Sequence, residues 1–389
     1  MRRGLLPGEW AAPGPSYCVD VALDDPERDP RVLHVRGVVL PDDETRDLWL
    51  VGDRVTLTPQ PDAITIADGG FILPGLVDAH CHIGIKHGGG HVESLDEARD
   101  LALLDRNAGV LALRDAGSPY PYEVLDDDPD VPRLARAGRH VAPVRRYLRG
   151  LGVEVEAPDV AATITSQAKA GNGWVKMVGD WIDRGVGDLA NAWDPATMAD
   201  AVAAAHAAGA RITAHCFAEE SVAVLVDAGI DCLEHGTGLS LDVIAKMAAQ
   251  GTALVPTMIN IETFDGIAAS AEDKFPGYAS HMRRLQAGFP AVVAAAVDAG
   301  VPVYVGTDAG GGIVHGMVVT EMEMLHQRAG MPILDVLAAG SWGARSWLGF
   351  PGLVEGGLAD LIVYPEDPRR SLAALRNPSR VVLKGAVVR

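Results

Sequence analysis

The chain has 389 residues, a formal net charge of −19, and a composition of 48% hydrophobic and 22% charged residues. These proportions are ordinary for a globular protein with a large core, and the length fits one α/β barrel of roughly 250 residues with an appended module. The acidic balance argues against nucleic acid or an anionic membrane as a partner, although it permits an anionic small molecule beside a local cation.

The cysteines and the N-terminus favour a cytoplasmic protein. The cysteines are Cys18, Cys81, Cys216 and Cys232, and none forms a Cys-x-x-Cys pair. We therefore expect reduced thiols rather than a disulfide framework. The N-terminus has two arginines but no long apolar segment, so it does not resemble a signal peptide. No apolar run reaches the roughly 20 residues of a membrane span.

Short β-type runs stand near both ends of the chain, broken by Pro, Asp and Gly. These runs are residues 31–40, 63–67, 359–364 and 380–389. Such runs are typical of a small sheet, and chain termini often lie close together. The pattern predicts a composite small β-sandwich domain formed by residues 1–72 and 354–389.

The middle of the chain alternates short apolar runs with Ala-rich segments. The strand-like runs are residues 110–114, 174–178, 211–215, 231–235, 253–257 and 301–308, and residues 199–208 form a helical pattern between two of them. Repeated strand–helix units predict a parallel sheet, and at this number they favour an α/β fold of the closed (β/α)8 TIM-barrel type over residues 73–353.

An apolar run over residues 71–82 ends in His80-Cys81-His82. Side chains alternate faces along a strand, so both imidazoles are expected to point one way and Cys81 the other. Two convergent neutral imidazoles are half of a divalent-metal site.

The other half of such a site should come from the carboxyl ends of further barrel strands, because these ends meet at one mouth. The candidates at or near strand ends are Lys176, His215, His235 and Asp308. Asp308 has a second interpretation, since an aspartate after Gly-Thr also caps helices.

Lys176 lies within a strand-like run, where burial of a lysine is costly unless it is paired or modified. Addition of CO₂ would convert it into an anionic bidentate ligand, which suits two metals a few Å apart. An unmodified lysine paired to a carboxylate is the alternative.

Several motifs occur in a characteristic order. They are Pro74-Gly-Leu-Val-Asp-Ala-His-Cys-His, Arg114-Asp-Ala-Gly, Val175-Lys, Ala214-His, Glu234-His-Gly, Gly306-Thr-Asp-Ala-Gly, His315-Gly with Glu321, and Gly357-Leu-Ala-Asp-Leu-Ile-Val. With these motifs the sequence resembles the amidohydrolase superfamily, in the branch near imidazolonepropionase-like proteins and metal-dependent Xaa-Pro dipeptidases. The resemblance extends over nearly the whole chain from about residue 30.

The resemblance implies a binuclear metal centre. Its implied ligands are His80, His82 and Asp308 for the buried metal, His215 and His235 for the second metal, and carboxylated Lys176 as a bridge together with a hydroxide. Two cations lower the pKa of water toward neutrality. Nitrogen and carboxylate ligands suit Zn²⁺, although Mn²⁺, Co²⁺ and Fe²⁺ also fit.

The implied reaction is hydrolysis of a C–N bond in a small molecule, such as an amide, cyclic amide, dipeptide or N-acyl amino acid. Asp308 would take the proton of the attacking hydroxide and pass it to the leaving group. Two alternatives stay open: a mononuclear-metal deaminase in which Lys176 is not a ligand, and a catalytically inactive barrel that serves as a scaffold or binding protein. A homo-oligomer is compatible with the sequence.

One segment departs from the family pattern. Relatives near the dipeptidase branch usually carry Gly-Gly-His after the third strand, whereas residues 142–152 here contain three arginines and Tyr147. The candidate substrate-binding residues are Arg145, Tyr147, Trp181 and His315. An arginine here could pair with a substrate carboxylate through two hydrogen bonds, or it could be an ordinary surface residue.

Overall fold

The computed structural model describes residues 32–389. Cys18, the N-terminal segment and residues 1–31 of the predicted small domain lie outside the described residues. The strands are β1 (Leu33–Val39), β2 (Glu44–Val51), β3 (Arg54–Thr56), β4 (Ile64–Pro74), β5 (Leu76–Cys81), β6 (Val110–Asp115), β7 (Arg133–Arg136), β8 (Val141–Pro143), β9 (Val153–Val155), β10 (Trp174–Val178), β11 (Asp180–Asp183), β12 (Asp188–Asn191), β13 (Arg211–Cys216), β14 (Cys232–His235), β15 (Ala253–Val255), β16 (Leu361–Tyr364), β17 (Arg380–Leu383) and β18 (Ala386–Val387).

Several helices begin at a residue whose side chain caps the first turn. They are α1 (Leu95–Asn107), α2 (Val160–Ala170), α3 (Pro195–Ala207), α4 (Glu219–Asp227), α5 (Leu241–Gln250), α6 (Met258–Ile261), α7 (Phe264–Ala271), α8 (Pro276–Asp298), α9 (Val318–Ala329), α10 (Ile333–Gly340) and α11 (Trp342–Leu348). The side chains of Ser94, Asp194 and Ser240 accept hydrogen bonds from the first turns of α1, α3 and α5. Such caps satisfy backbone N–H groups that have no partner within the helix.

The two ends of the described chain meet in one seven-stranded sheet. Its strand order is β18-β17-β16-β4-β1-β2-β3, and the late strand β16 pairs antiparallel with β4. The sheet curls around its own apolar core, because the edge strand β3 is hydrogen-bonded to the segment before β16, from Val55 N to Gly357 O at 2.9 Å. The predicted pairing of the two ends is therefore confirmed, while the exact boundaries of the small domain stay a prediction.

The central strands are parallel and close into a barrel. Strand β5 pairs with β6, and β7 and β8 together fill the next position, because β7 pairs with β6 and β8 pairs with β10. Strands β10, β13, β14 and β15 continue the series. Residues 302–308 close the ring: Leu254 N donates to Pro302 O at 2.9 Å, and Ala79 N donates to Val305 O at 2.8 Å. The α/β fold with a (β/α)8 barrel is confirmed.

The last barrel segment differs from its prediction. Residues 301–308 make isolated bridges, such as Leu254 to Val303, rather than one regular strand. Pro302 has no N–H to donate, so the ladder is interrupted there.

The apolar run over residues 71–82 is also two strands rather than one. Strand β4 ends at Pro74 in the small sheet, and β5 begins at Leu76 in the barrel. Gly75 joins them against β6, where an added Cβ would lie 2.4 Å from the Cβ of Leu111. Only glycine fits so close an approach.

Large side chains fill the barrel interior beneath the strand ends. Trp174 and Trp347 pack edge to face, with ring centroids 4.9 Å apart. The guanidinium carbon of Arg114 lies 4.6 Å from the Trp174 ring and 5.1 Å from the Trp347 ring. The polar groups at the strand ends therefore rest on a packed interior.

Candidate metal centre

The carboxyl ends of three successive barrel strands carry residues with strained backbones. His235, Thr257 and Asp308 have φ values of 68°, 48° and 59°. Residues other than glycine seldom adopt this left-handed conformation, which costs energy and tends to occur at functional sites. His235 and Asp308 are both candidate metal ligands, so the strain falls at the candidate site.

His80, His82 and Asp308 form a compact cluster at this mouth. The Nε2 atoms of the two histidines are 3.3 Å apart, and Asp308 Oδ1 lies 3.1 Å from His80 Nε2 and 3.2 Å from His82 Nε2. These three ligand atoms are close enough to hold one metal ion. Cys81 points away and packs against the carbonyl of Arg114.

The outer nitrogens of both rings face hydrogen-bond acceptors. His82 Nδ1 donates to Gly117 O at 2.8 Å, and His80 Nδ1 lies 2.7 Å from Glu234 Oε2. A proton on Nδ1 of each neutral ring would pair with these oxygens and leave the Nε2 lone pair free for a metal. Two imidazole nitrogens and a carboxylate oxygen then converge, an arrangement that suits a cation between them.

The pKa shifts of Asp308 and His82 also favour a cation at this position. Burial raises the pKa of Asp308, but His80 and His82 outweigh it and hold the pKa well below its usual range. Burial lowers the pKa of His82, but its contact with Asp308 raises the pKa overall. The cluster thus favours positive charge at its centre.

A buried ion pair lies behind His80. Arg114 donates from NH2 to Glu234 Oε1 at 2.6 Å and from Nε to Ala79 O at 2.6 Å, and Thr213 Oγ1 also donates to Glu234 Oε1. Burial opposes ionisation of Glu234, but Arg114 and His80 hold its pKa well below the usual value. Glu234 is therefore an anion that can fix the ring of His80.

His215 and His235 lie beside this cluster. Their ring centroids are 4.8 Å apart, and His235 Nε2 is 4.0 Å from Asp308 Oδ2. Thr257 Oγ1 lies 2.7 Å from His235 Nδ1. Burial lowers the pKa of His235 to about 3 and that of His215 well below its usual value, so both rings are neutral and able to bind a metal.

Lys176 is on β10, two residues before the strand end, and pairs in register with Thr213 of β13. Its side chain is buried, and within residues 32–389 no group hydrogen-bonds its ammonium. Burial lowers its pKa despite the nearby charges of Glu234 and Asp308. A buried amine without a hydrogen-bonded counter-ion is the state that modification would relieve.

Asp308 has a second partner that the sequence did not indicate. Asn260 Nδ2 donates to Asp308 Oδ2 at 2.8 Å, so the carboxylate presents Oδ1 to the histidines and Oδ2 to the amide. Asn260 lies on α6, whose first amides, Met258 N and Ile259 N, donate to buried Glu321 at 2.7 Å each. Glu321 thereby anchors the helix that carries Asn260.

Aromatic side chains form one wall of the mouth. Tyr147 and Trp181 have ring centroids 4.7 Å apart, and both pack on His215, at 5.6 and 5.3 Å. Phe217, the first residue after β13, packs on His215 with ring centroids 4.3 Å apart. Of the four candidate substrate residues, Tyr147 and Trp181 thus lie beside a candidate metal ligand.

The other two candidate substrate residues lie apart from this wall. Arg145 is exposed, and its backbone amide donates to Glu154 Oε2 at 3.2 Å. His315 Nδ1 lies 2.7 Å from Asp105 Oδ2 of α1. Neither has a described contact with Tyr147, Trp181 or His215, so their role at the substrate stays a prediction.

Arg146, next to Arg145, is the arginine that reaches the mouth. Its NH1 lies 3.2 Å from Asp183 Oδ2 in the hairpin that carries Trp181, and its NH2 donates to Ala190 O at 3.5 Å. The segment after β8 is thereby tied to the β11–β12 hairpin.

Sequence reasoning missed several of these groups. Glu234 and Arg114 stood within motifs that were noticed, but nothing in their spacing indicated the ion pair. Asn260 lies in a region with no motif, and its contact depends on the strained backbone of Thr257. A buried acid directly before a candidate ligand histidine, as in Glu234-His235, is the one local signal that could have drawn notice.

Comparison with known proteins identifies the family of this barrel. Residues 153–388 match the model of the amidohydrolase family. An uncharacterised protein of Mycobacterium bovis is 52% identical over 355 residues, which cover 91% of this chain and 95% of that protein. The chain therefore belongs to the amidohydrolase family, as its motifs predicted.

Two solved structures share the fold. A Xaa-Pro dipeptidase with bound methionine in its active site superposes with a TM-score of 0.76 at 20% identity, covering 92% of this chain and 99% of that one. The A. niger ochratoxinase superposes with a TM-score of 0.76 at 17% identity, covering 92% of this chain and 95% of that one. Within residues 32–389, no helix is both long and apolar enough to cross a membrane.

Proposed function

We propose that this protein is a metal-dependent hydrolase that cleaves a C–N bond in a small molecule. The observation that carries the proposal is the convergence of two imidazole nitrogens and one carboxylate oxygen within 3.3 Å of one another. Family membership supports the same reaction class. His80, His82 and Asp308 would hold the first metal.

A second metal is proposed beside the first, held by His215 and His235, with Lys176 as a carboxylated bridge between the two. The two neutral imidazoles, whose ring centroids lie 4.8 Å apart, support this assignment. So does the burial of Lys176 without a hydrogen-bonded counter-ion in the described structure. Zn²⁺ suits these nitrogen and oxygen ligands, as do Mn²⁺, Co²⁺ and Fe²⁺.

The bound metals would supply a polarised substrate carbonyl and a water of lowered pKa. Asp308 is the proposed proton carrier, because its carboxylate lies at the centre of the cluster and its Oδ2 is oriented by Asn260 at 2.8 Å. It would take a proton from the attacking water and return it to the leaving nitrogen. Glu234 would keep His80 in the tautomer that leaves Nε2 free.

The proposed substrate is an amide, cyclic amide, dipeptide or N-acyl amino acid with an apolar group near the scissile bond. Tyr147, Trp181 and Phe217 support the apolar group, since their rings surround His215. An aromatic wall favours large apolar groups through buried area and ring packing. His315 and Arg145 remain candidates for contacts farther from the metals.

A mononuclear-metal deaminase is the second candidate. It is favoured by one observation: within residues 32–389 only His80, His82 and Asp308 form a compact set of ligand atoms. His235 Nε2, in contrast, lies 4.0 Å from Asp308 Oδ2. The number of metals bound per chain separates the two candidates.

The test combines a substrate screen with ligand variants. Metal-loaded protein is assayed against N-acyl amino acids, dipeptides, cyclic amides and lactones, with ammonia release as a separate readout for deamination. We expect His80→Ala and Asp308→Ala to abolish turnover while the circular dichroism spectrum is kept. His206→Ala, an exposed histidine on α3, is the matched control and should retain activity. Full turnover in either ligand variant would contradict the assignment.

A further inference from the structure

Asp180 is a fully buried carboxylate immediately beyond the strand that carries Lys176. Its Oδ2 accepts hydrogen bonds from the backbone amides of Phe217 at 2.8 Å and Ala218 at 2.7 Å, two and three residues after His215 in the chain. Its Oδ1 has no hydrogen-bond partner among the described residues and faces His215 Nε2 at 3.9 Å. Oδ2 thus has hydrogen-bond partners, whereas Oδ1 has none among the described residues and lies near a candidate metal ligand.

His215 Nε2 is the complementary unpaired atom. It is buried and likewise has no hydrogen-bond partner within residues 32–389. A buried imidazole nitrogen and a buried carboxylate oxygen both lose solvation unless they find a hydrogen-bond partner. A relative shift of about 1 Å would bring the nitrogen and oxygen from their present separation to hydrogen-bond distance.

The chain path explains why Asp180 reaches this position. Gly179 N donates to His215 O at 2.8 Å, which brings the turn after β10 onto the end of β13. An added Cβ on Gly179 would lie 2.8 Å from His215 O and 2.7 Å from Leu225 Cδ1. Glycine is therefore required for the close approach that places Asp180 under His215.

We propose that Asp180 is a positioning residue for His215, accepting a hydrogen bond from Nε2 and leaving Nδ1 as the nitrogen that binds metal. A neutral imidazole carries one proton, so an acceptor at Nε2 decides which nitrogen keeps its lone pair. The proposal rests on the proposed second metal for its role, but the tautomer of His215 can be observed without any metal.

The first experiment observes the tautomer in the metal-free protein. Two-bond ¹H–¹⁵N correlation spectra of histidine-labelled protein, with His215 assigned by the His215→Gln variant, report which ring nitrogen carries the proton. We expect Nε2–H in the unsubstituted protein. A proton on Nδ1 would overturn the proposal, and this result needs no metal to bind.

The second experiment measures metal affinity in Asp180→Asn. While its oxygen accepts from the amides of Phe217 and Ala218, the new NH₂ group faces Nε2 and forces the proton to Nδ1. Competition with a chelator should show that the affinity for the second Zn²⁺ falls by about 10- to 100-fold, while the affinity for the first is unchanged. Asp183→Asn, a partly exposed carboxylate in the same hairpin, is the control and should bind both metals as the unsubstituted protein does.

The outcomes separate this proposal from the proposed function. Unchanged affinity for both metals in Asp180→Asn would overturn the positioning role and leave the binuclear centre intact. Binding of fewer than two metals by the unsubstituted protein would contradict the binuclear centre, while the tautomer spectra would still decide the role of Asp180.

Discussion

At the scale of single residues, the imidazole of His80 lies between two carboxylates that have different proposed roles. Its Nδ1 lies 2.7 Å from Glu234, which is itself paired to buried Arg114, and its Nε2 lies 3.1 Å from Asp308. Asp308 lies at the candidate metal position, whereas Glu234 would determine which ring nitrogen of His80 carries the proton. Such outer partners raise the basicity of a ligand and fix its orientation.

The role of Glu234 predicts a double effect of Glu234→Gln. Loss of the carboxylate leaves Arg114 buried without a counter-ion, which should lower the free energy of unfolding by about 3–5 kcal/mol. We expect the amide oxygen to stay with the Arg114 guanidinium, so that the NH₂ group faces His80 Nδ1 in place of an acceptor and the affinity for the first metal falls by about 10- to 100-fold. Urea unfolding of metal-free protein and a chelator competition measure the two effects.

Asp231→Asn provides the control for this variant. Asp231 precedes the same strand but pairs with exposed His206, at 2.9 Å, and not with a ligand. Its substitution should leave the affinity for metal unchanged. Equal metal binding by Glu234→Gln and the unsubstituted protein would show that Glu234 does not orient His80.

At the scale of elements, the candidate centre depends on how closely neighbouring strand ends approach each other. β10 and β13 pair in register up to Val178 and His215, and Gly179 then continues the contact. His215, Lys176 and the carboxylate of Asp180 lie at this junction. A change in the spacing of the two strands should therefore affect stability and metal binding together.

Gly179→Ala tests this spacing. The added methyl group would lie 2.7 Å from Leu225 Cδ1 and 2.8 Å from the carbonyl oxygen of His215, so the strand ends must separate. We expect a loss of about 1–3 kcal/mol in the free energy of unfolding, as for other overpacked sites, measured by urea denaturation.

Gly288→Ala on α8 is the matched comparison. An added Cβ there meets no atom within 4 Å, and the residue is exposed within a helix. Alanine should therefore stabilise the protein, by roughly 0.5–1 kcal/mol. If both glycine variants had the same stability, the close approach at Gly179 would carry no strain.

At the scale of the whole molecule, Asp360 joins the small sheet to the barrel. It lies just before β16 and accepts hydrogen bonds at 2.6 Å from Arg133 of β7 and from Arg345 of α11. Burial raises the pKa of Asp360, but the two arginines outweigh burial and lower the pKa overall. The ionised carboxylate is therefore more stable in the folded protein than in the unfolded chain.

This lowered pKa predicts how stability depends on pH. The contribution of Asp360 to the free energy of unfolding should be complete above the pKa that the group has in the unfolded chain, about 4. It should fall as the pH drops toward and through the lower pKa of the folded protein. Asp360→Asn should therefore cost more stability at pH 7 than near pH 3, as measured by urea midpoints at both pH values. A penalty independent of pH would contradict the assigned ionisation.

Much of this architecture could be predicted from the sequence because it depends on local pattern. Apolar runs marked the barrel strands, and a polar residue at the end of such a run marked His215, His235 and Asp308 as candidates. The groups that orient them could not be found in this way. Glu234, Asn260 and Asp180 act through contacts with residues distant in the chain, and no local spacing encodes those contacts.

Two predicted strands differ from the observed ones for the same physical reason. The run over residues 71–82 was continuous in hydrophobicity, so its division at Gly75 between two sheets could not be recognised. Residues 301–308 had strand character, but Pro302 and the strained Asp308 prevented a regular ladder. The hydrophobicity of a segment indicates that it is buried, whereas its backbone hydrogen bonds determine whether it forms one regular strand.

The central claim is a binuclear centre bridged by a carboxylated Lys176. Native mass spectrometry of the full chain, loaded with Zn²⁺ in the presence of bicarbonate, tests it most directly. The account predicts two metal ions per chain and the added mass of one CO₂, with the CO₂ and at least one metal lost in Lys176→Ala. One metal per chain with an unmodified lysine, or two metals retained in Lys176→Ala, would contradict it.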